Sequence, residues 1–389
     1  MFYTFYYDTG DTISYYEGAR AIVNLIFTDF ERGYHVLFNT GSRLNSYSSF
    51  NYATGRPPYY IFIDEKTFSV SRFSVLFYFL GGGSLIISNF LCAIFSFIGV
   101  WKLFQVACSI YKRYTRQLSY IILLMPSLLF WGSGIMKDSF VLGALCWLTA
   151  NFYNGVIKRN KTFLNVLLII FNFLIITKIK PYVALGVIPG MLFWLNKNFI
   201  LTLKSSFARV TLRPFIFSLI VILGFLIFNN LASLGLQEYE NVDQTIEQAQ
   251  VIQQDLLRSE QYGSNSYNIG ALDGTFSGMI SIAPLAIFTA IYRPLIYEIG
   301  SPAMIVAAVE NLILLFFTLY SLIRTSPFNL FKIISSDPFL LYCLIFTLIF
   351  GFGVGIASTN FGALVRYRIP LIPFYFTIIL ILFYSKKRS

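Results

Sequence analysis

Two carboxylates, Asp8 and Asp11, open a polar, tyrosine-rich stretch that runs from Tyr6 to Ala19. A carboxylate held at a membrane edge is a candidate general base toward an acceptor hydroxyl. The competing reading is helix capping, since Asp11 precedes Thr12-Ile13-Ser14 and helix starts favour Asp. Cations recur in four further places, each beside an apolar run. They are Lys137 with Asp138, Lys178 and Lys180 ahead of Pro181-Tyr182, Arg293 with Glu298 around a proline turn, and Arg366-Tyr367-Arg368 before Pro370. Guanidinium forks and ammonium point charges suit a phosphate ligand. Any one of these residues also fits a long side chain reaching from apolar surroundings into water. The set as a whole asks for more, because charge near membrane depth is costly and marks function by default.

Metal and nucleotide chemistry find little footing. There is one histidine, His35, and the four cysteines have neither zinc nor disulfide spacing. Cys92, Cys108, Cys146 and Cys343 read instead as small apolar packing residues. Gly81-Gly82-Gly83 lacks the Lys-Ser/Thr of a phosphate-binding loop and reads as a flexible or close-packing joint. Neither Gly-x-Ser-x-Gly nor His-Glu-x-x-His occurs. No cofactor and no metal ligand are implied, and a divalent metal is left open.

The elements that must position these charges are apolar helices. The 389 residues are 56% hydrophobic and 12% charged, too few polar groups to cover a soluble domain. Runs long enough to cross a hydrocarbon core of about 30 Å predict nine crossings, at 85–110, 118–135, 139–157, 162–177, 182–195, 215–236, 303–323, 339–357 and 369–384. The fourth and fifth are short and are expected to be tilted, broken or re-entrant. The fold class is therefore an all-α polytopic membrane protein with amphipathic helices on its outer face.

Orientation follows from the basic residues. Lys102, Lys112, Arg113, Arg116, Lys158, Arg159, Lys161, Lys197, Lys204, Arg209, Arg213, Arg324, Lys332 and the tail Lys386-Lys387-Arg388 fall on one side, against one acid, Asp337. That side is cytoplasmic, and the C-terminus with it. The net charge of +11 is a topology signal and not a nucleic-acid footprint. The candidate residues then face outward, to the periplasm if the membrane is a bacterial inner membrane.

Four segments result: an outer-face first loop (1–84), spans one to six (85–236), an outer polar loop with a re-entrant or interfacial helix (237–302), and spans seven to nine with the basic tail (303–389). In the first loop Ile22, Leu25, Ile26 and Phe30 recur at helical spacing opposite Arg20, Asn24 and Glu31, the pattern of a helix lying at an interface. Nine spans place residues 1–72 outside, an awkward polar segment to translocate. Met1–Tyr7 does not read as a signal peptide, so a first span is expected upstream, lost by start-site choice or truncation.

Asp11 followed by Tyr15 and Ala19 resembles the Asp-x-x-x-Tyr-x-x-x-Ala-like opening of membrane glycosyltransferases with the GT-C fold. That group includes the dolichyl-phosphate-mannose protein mannosyltransferases and the bacterial aminoarabinose transferases. Pro126, Phe130-Trp131, Lys137-Asp138, Tyr292-Arg293-Pro294 and Arg366-Tyr367-Arg368-x-Pro370-x-x-Pro373 look like uncharacterised multi-span members in Bacteroidota. The resemblance implies transfer of a sugar from a polyprenyl-phosphate-linked donor to an acceptor that is a glycan, a lipid or a protein. It makes Asp11 first and Asp8 second the base. Arg366, Arg368, Lys178, Lys180, Lys137 and Arg293 would hold the lipid phosphate, with Asp138, Glu298 and Tyr15 in support. Two rivals are a polysaccharide polymerase of the O-antigen type and a transporter or flippase of an anionic lipid. Against a transporter, the sequence shows no repeat and, apart from Glu310, gathers its charges at one interface.

Overall fold

The computed structural model describes residues 10–39, 47–202, 251, 267, 276–300 and 302–385. Asp8, the predicted crossing at 215–236, most of the polar loop and the basic tail lie outside these residues. The regular structure described is helical. Six helices are long and apolar enough to cross a membrane: Leu85–Ile110, Lys137–Ile157, Thr162–Ile179, Met304–Arg324, Pro338–Ala357 and Phe361–Tyr384. They match six of the predicted crossings, and the chain is an all-α protein of multi-pass membrane type.

The differences have local causes. The stretch 118–135 is two short helices, Thr115–Ile122 and Pro126–Trp131. Pro126 starts the second, and a proline disfavours helical backbone in the residue before it. The run at 182–195 belongs to a longer helix, Tyr182–Thr202, with Pro189 inside it. The first-loop helix ends at Thr28, because Asp29 turns extended and its side chain caps a new helix through the Arg32 N–H, 3.1 Å away. Phe30 therefore leaves the Ile22–Leu25 face and is exposed.

The chain forms two compact units. Unit 1 comprises Met1–Val106, Leu129–Phe152 and Lys161–Lys180. It holds α1 (Asp11–Thr28), α2 (Phe30–Phe38), α3 (Tyr59–Ile63), α4 (Glu65–Leu80), most of α5 (Leu85–Ile110), α8 (Lys137–Asn151) and α9 (Thr162–Ile179). The helices α6 (Thr115–Ile122) and α7 (Pro126–Trp131) come between. In unit 1, α1 packs on α4 through Thr12, Tyr15, Gly18, Ala19 and Ile22, all buried. Gly18 sits so close to Ser71 that an added Cβ would collide with the serine side chain. Gly82 and Gly83 take positive φ (59° and 74°) to turn α4 into α5, and Tyr16 donates to the Gly83 carbonyl at 2.5 Å. Gly99 of α5 and Gly143 of α8 bring two backbones into contact. Lipid tails give no hydrophobic drive between helices, so this closeness supplies van der Waals attraction instead.

Unit 2 comprises Ala107–Leu128, Tyr153–Asn160 and Pro181–Ser389. Its later helices are α10 (Tyr182–Thr202), α11 (Phe276–Tyr292), α12 (Pro302–Arg324), α13 (Pro327–Ser336), α14 (Pro338–Ala357), α15 (Phe361–Tyr367) and α16 (Ile372–Ser385). The centre is α14, which packs on α10, α11 and α16. Trp194 stacks on Tyr342 and Tyr153, with ring centroids 5.2 and 5.9 Å apart. Gly355 lets α14 touch the backbone of α11, where any Cβ would meet the Ala286 carbonyl. Asp337 starts α14, accepting from Phe339 N and Leu340 N at 2.9 and 3.1 Å and from the Tyr111 hydroxyl at 2.8 Å.

Candidate functional site

In unit 1 the starts of α1, α4 and α8 and the end of α9 meet around Lys137. The antiparallel pair α8 and α9 puts residues 137–138 and 178–180 at one end. Asp64 is the N-cap of α4 and accepts from Lys66 N and Thr67 N at 3.1 and 3.2 Å, and from the Thr67 hydroxyl. Lys137 Nζ donates to Thr67 Oγ1 at 2.5 Å and lies 3.5 Å from Asp64 Oδ2. Burial raises the Asp64 carboxyl, but the Lys137 ammonium and the hydrogen bonds from Thr67 and Lys66 outweigh it and hold the group below the usual carboxylate range.

Next to Lys137, Asp138 is buried and accepts from Lys180 Nζ at 2.6 Å. Two charges this far from water survive only as a pair. Lys180 and Asp11 both lie within electrostatic range of Lys137. Asp11 is the first residue of α1 and is half-buried. The N-cap position is Gly10, and Asp11 is the acidic residue of the first turn. Lys178 is exposed at the end of α9, and Tyr15 is buried on the α1 face against α4. Five of the predicted residues, Asp11, Lys137, Asp138, Lys178 and Lys180, thus gather at one end of this unit, joined by Asp64 and Thr67.

Unit 2 holds the arginines. Arg293 Nε donates to both oxygens of Glu298, at 2.9 and 3.1 Å, and Glu298 also accepts from Leu295 N at 2.8 Å. The Arg293 guanidinium covers the rings of Tyr267 and Phe361, 4.5 and 5.0 Å from their centroids. Arg368 is buried, and its Nη1 donates to the carbonyls of Ile291 and Arg293 at 3.3 and 3.0 Å. Arg366 is half-buried at the end of α15. Glu310 is buried in α12, where it accepts from Ser127 N at 2.8 Å and from the Ser127 hydroxyl.

Sequence reasoning missed Asp64 and Thr67. Their signal was present, since Asp64-Glu65-Lys66-Thr67 ahead of an apolar run is a helix-start pattern. It also missed Tyr267 and Ser358, which carry no local signal. Among the described residues no group of three or more His, Cys, Asp or Glu is placed to hold a metal ion. No family model, no curated protein and no solved structure matches the chain.

Proposed function

We propose that the chain transfers a sugar from a polyprenyl-phosphate donor to an acceptor hydroxyl, on the outer face of a bacterial cytoplasmic membrane and in the manner of GT-C enzymes. The observation that supports this most is that Lys137 sits among three helix starts of unit 1 with Asp11 within electrostatic range of it. Helix N-termini carry partial positive charge, so the starts of α1 and α8 add to the lysine's pull on an anion, while the first N–H groups of α4 are already taken by Asp64. An ammonium has three donors, and Lys137 commits two of them, to Thr67 and Asp64. The third suits a phosphate oxygen, with Lys178 at the same end of the helix pair.

In this reading Asp11 takes the proton from the acceptor hydroxyl as its oxygen attacks the anomeric carbon from the face opposite the phosphate. The bond from that carbon to the phosphate oxygen breaks, and polyprenyl phosphate leaves with the electron pair. The configuration inverts. Lys137 and the helix starts stabilise the charge that grows on the departing phosphate. The Asp138–Lys180 pair fixes the neighbouring backbone and is not itself a ligand.

The test is sugar transfer from a polyprenyl-phosphate-linked donor by the full chain in membranes. Asp11→Asn should lower the rate by about 10²–10⁴, the usual loss for a general base, with polyprenyl phosphate binding kept. Lys137→Ala should weaken that binding. Full transfer by both Asp11→Asn and Asp8→Asn would overturn the mechanism, whereas loss in Asp8→Asn alone would move the base to Asp8.

A further inference from the structure

The joints between helices in unit 2 hold polar atoms that unit 2 itself does not satisfy. Ser358 follows α14, Arg293 follows α11, and Arg368 closes α15. Tyr267 is tied to the same place. Its N–H donates to the Thr359 carbonyl at 2.7 Å, and its ring stacks on Phe361 with centroids 4.5 Å apart. Arg293 lies over both rings and gives its carbonyl to Arg368.

Three side-chain atoms here are buried without a hydrogen-bond partner: the Tyr267 hydroxyl, Ser358 Oγ and Arg368 Nε. Their residues are 7%, 0% and 2% exposed. A buried polar group left unpaired costs about 1–3 kcal/mol, and more when charged, so native proteins rarely keep one. Neighbouring acids do not supply the missing acceptor. Glu298 is committed to Arg293 and Leu295, and Glu310, though within electrostatic range of Arg368, accepts from Ser127.

The chemistry of the three atoms narrows the ligand. Arg368 Nε can only donate. Burial raises the Tyr267 phenol above its ordinary value, which keeps it a donor. Two hydroxyls and one guanidinium N–H, on three separate chain segments, are matched by an anion with acceptor oxygens in several directions. Tetrahedral phosphate offers the most of them, with three terminal oxygens out of one plane against the two of a carboxylate. We propose that Tyr267, Ser358 and Arg368 bind a phosphate group, either free or as the headgroup of a lipid. The site stands whether or not unit 1 transfers a sugar.

The full chain in dodecyl maltoside micelles, whose headgroup carries no phosphate, is titrated with inorganic phosphate and, in parallel, with phosphatidic acid. Binding is read by calorimetry and native mass spectrometry. Wild type should bind at least one of the two probes. Tyr267→Phe and Ser358→Ala should each weaken that binding by roughly three- to tenfold, as expected for one hydrogen bond. Binding of inorganic phosphate marks a free-phosphate site, and binding of phosphatidic acid alone marks a headgroup site. The melting temperature of the ligand-free protein guards against misfolding. Tyr267→Phe removes an unsatisfied hydroxyl and keeps the ring, so it should leave that temperature unchanged or higher. The proposal fails if wild type binds neither probe, if both variants bind like wild type, or if Tyr267→Phe lowers the ligand-free melting temperature.

Discussion

The Lys137 cluster of unit 1 and the Arg293 cluster of unit 2 hold their charges by different means. Around Lys137, unit 1 sets lysine against aspartate, in the pairs Lys180–Asp138 and Lys137–Asp64, although Arg72 of the same unit is held by the Val36 carbonyl, the Phe68 ring and Glu65. Unit 2 uses arginine against carbonyls, aromatic rings and a glutamate that grips Arg293 with both oxygens. The difference follows from the ions. A lysine ammonium is a compact charge on a flexible stem and can exchange one acceptor for another. A guanidinium is planar and always charged, and it is fixed by whatever surrounds its plane. Lysine therefore suits a place where acceptors exchange, and arginine a place that holds its shape.

Breaking the driest pair is the most severe test of this contrast. Asp138→Ala should strand the Lys180 ammonium and cost about 3–5 kcal/mol, the usual penalty for an uncompensated buried charge. The loss is measured by thermal unfolding in detergent. The double replacement Asp138→Leu with Lys180→Met should recover most of it. A single variant within 1 kcal/mol (roughly the worth of a solvated pair) would show that water reaches this pair.

A smaller effect is expected in unit 2. Glu298→Gln keeps an acceptor near Arg293 but removes the charge, and should cost about 1.5–3 kcal/mol as a lost charged hydrogen bond. The ring contacts with Tyr267 and Phe361 remain in this variant. A loss as large as that of Asp138→Ala would mean that the rings contribute little.

The smallest effect is a pH dependence. Asp64 has a lowered folded value, so its contribution is complete above the unfolded value of about 3.9. It is lost as pH falls through the lower folded value. Wild type should therefore lose stability more than Asp64→Asn between pH 5 and about pH 3 (estimated from those carboxylate values). Asp64 is substantially exposed, and the gap should stay under about 1 kcal/mol. Parallel acid unfolding of the two proteins would remove Asp64 from the cluster's electrostatics.

Hydropathy is a sum over neighbouring residues, which is why the sequence foretold Leu85–Ile110 to the residue and Thr162–Ile179 nearly so. Most of the charged residues it singled out also fall where helices begin or end, where charge is tolerated best, whereas Glu310 lies inside α12 and is held by Ser127. Their partners were another matter. Nothing local ties Lys180 to Asp138, 42 positions away, or Tyr267 to Thr359. Such pairs depend on which helices lie side by side, as set by small residues such as Gly99 and Gly143. Asp29 and Pro126 misled the reading for a simpler reason: one cap and one proline interrupted apolar patterns that otherwise ran on.

The contact of Gly355 with Ala286 acts as a spacer gauge. It lies one turn before Ser358 on α14, while α11 continues from Ala286 to end beside Arg293. Widening the gap by a single methyl would splay two helices whose ends carry Ser358 and Arg293. Gly355→Ala is thus a lesion at a distance: it alters none of the polar residues, yet it detunes the spacing at which they work. A variant of this kind would resemble a binding-site mutant in every assay of function while leaving each of those side chains chemically unchanged.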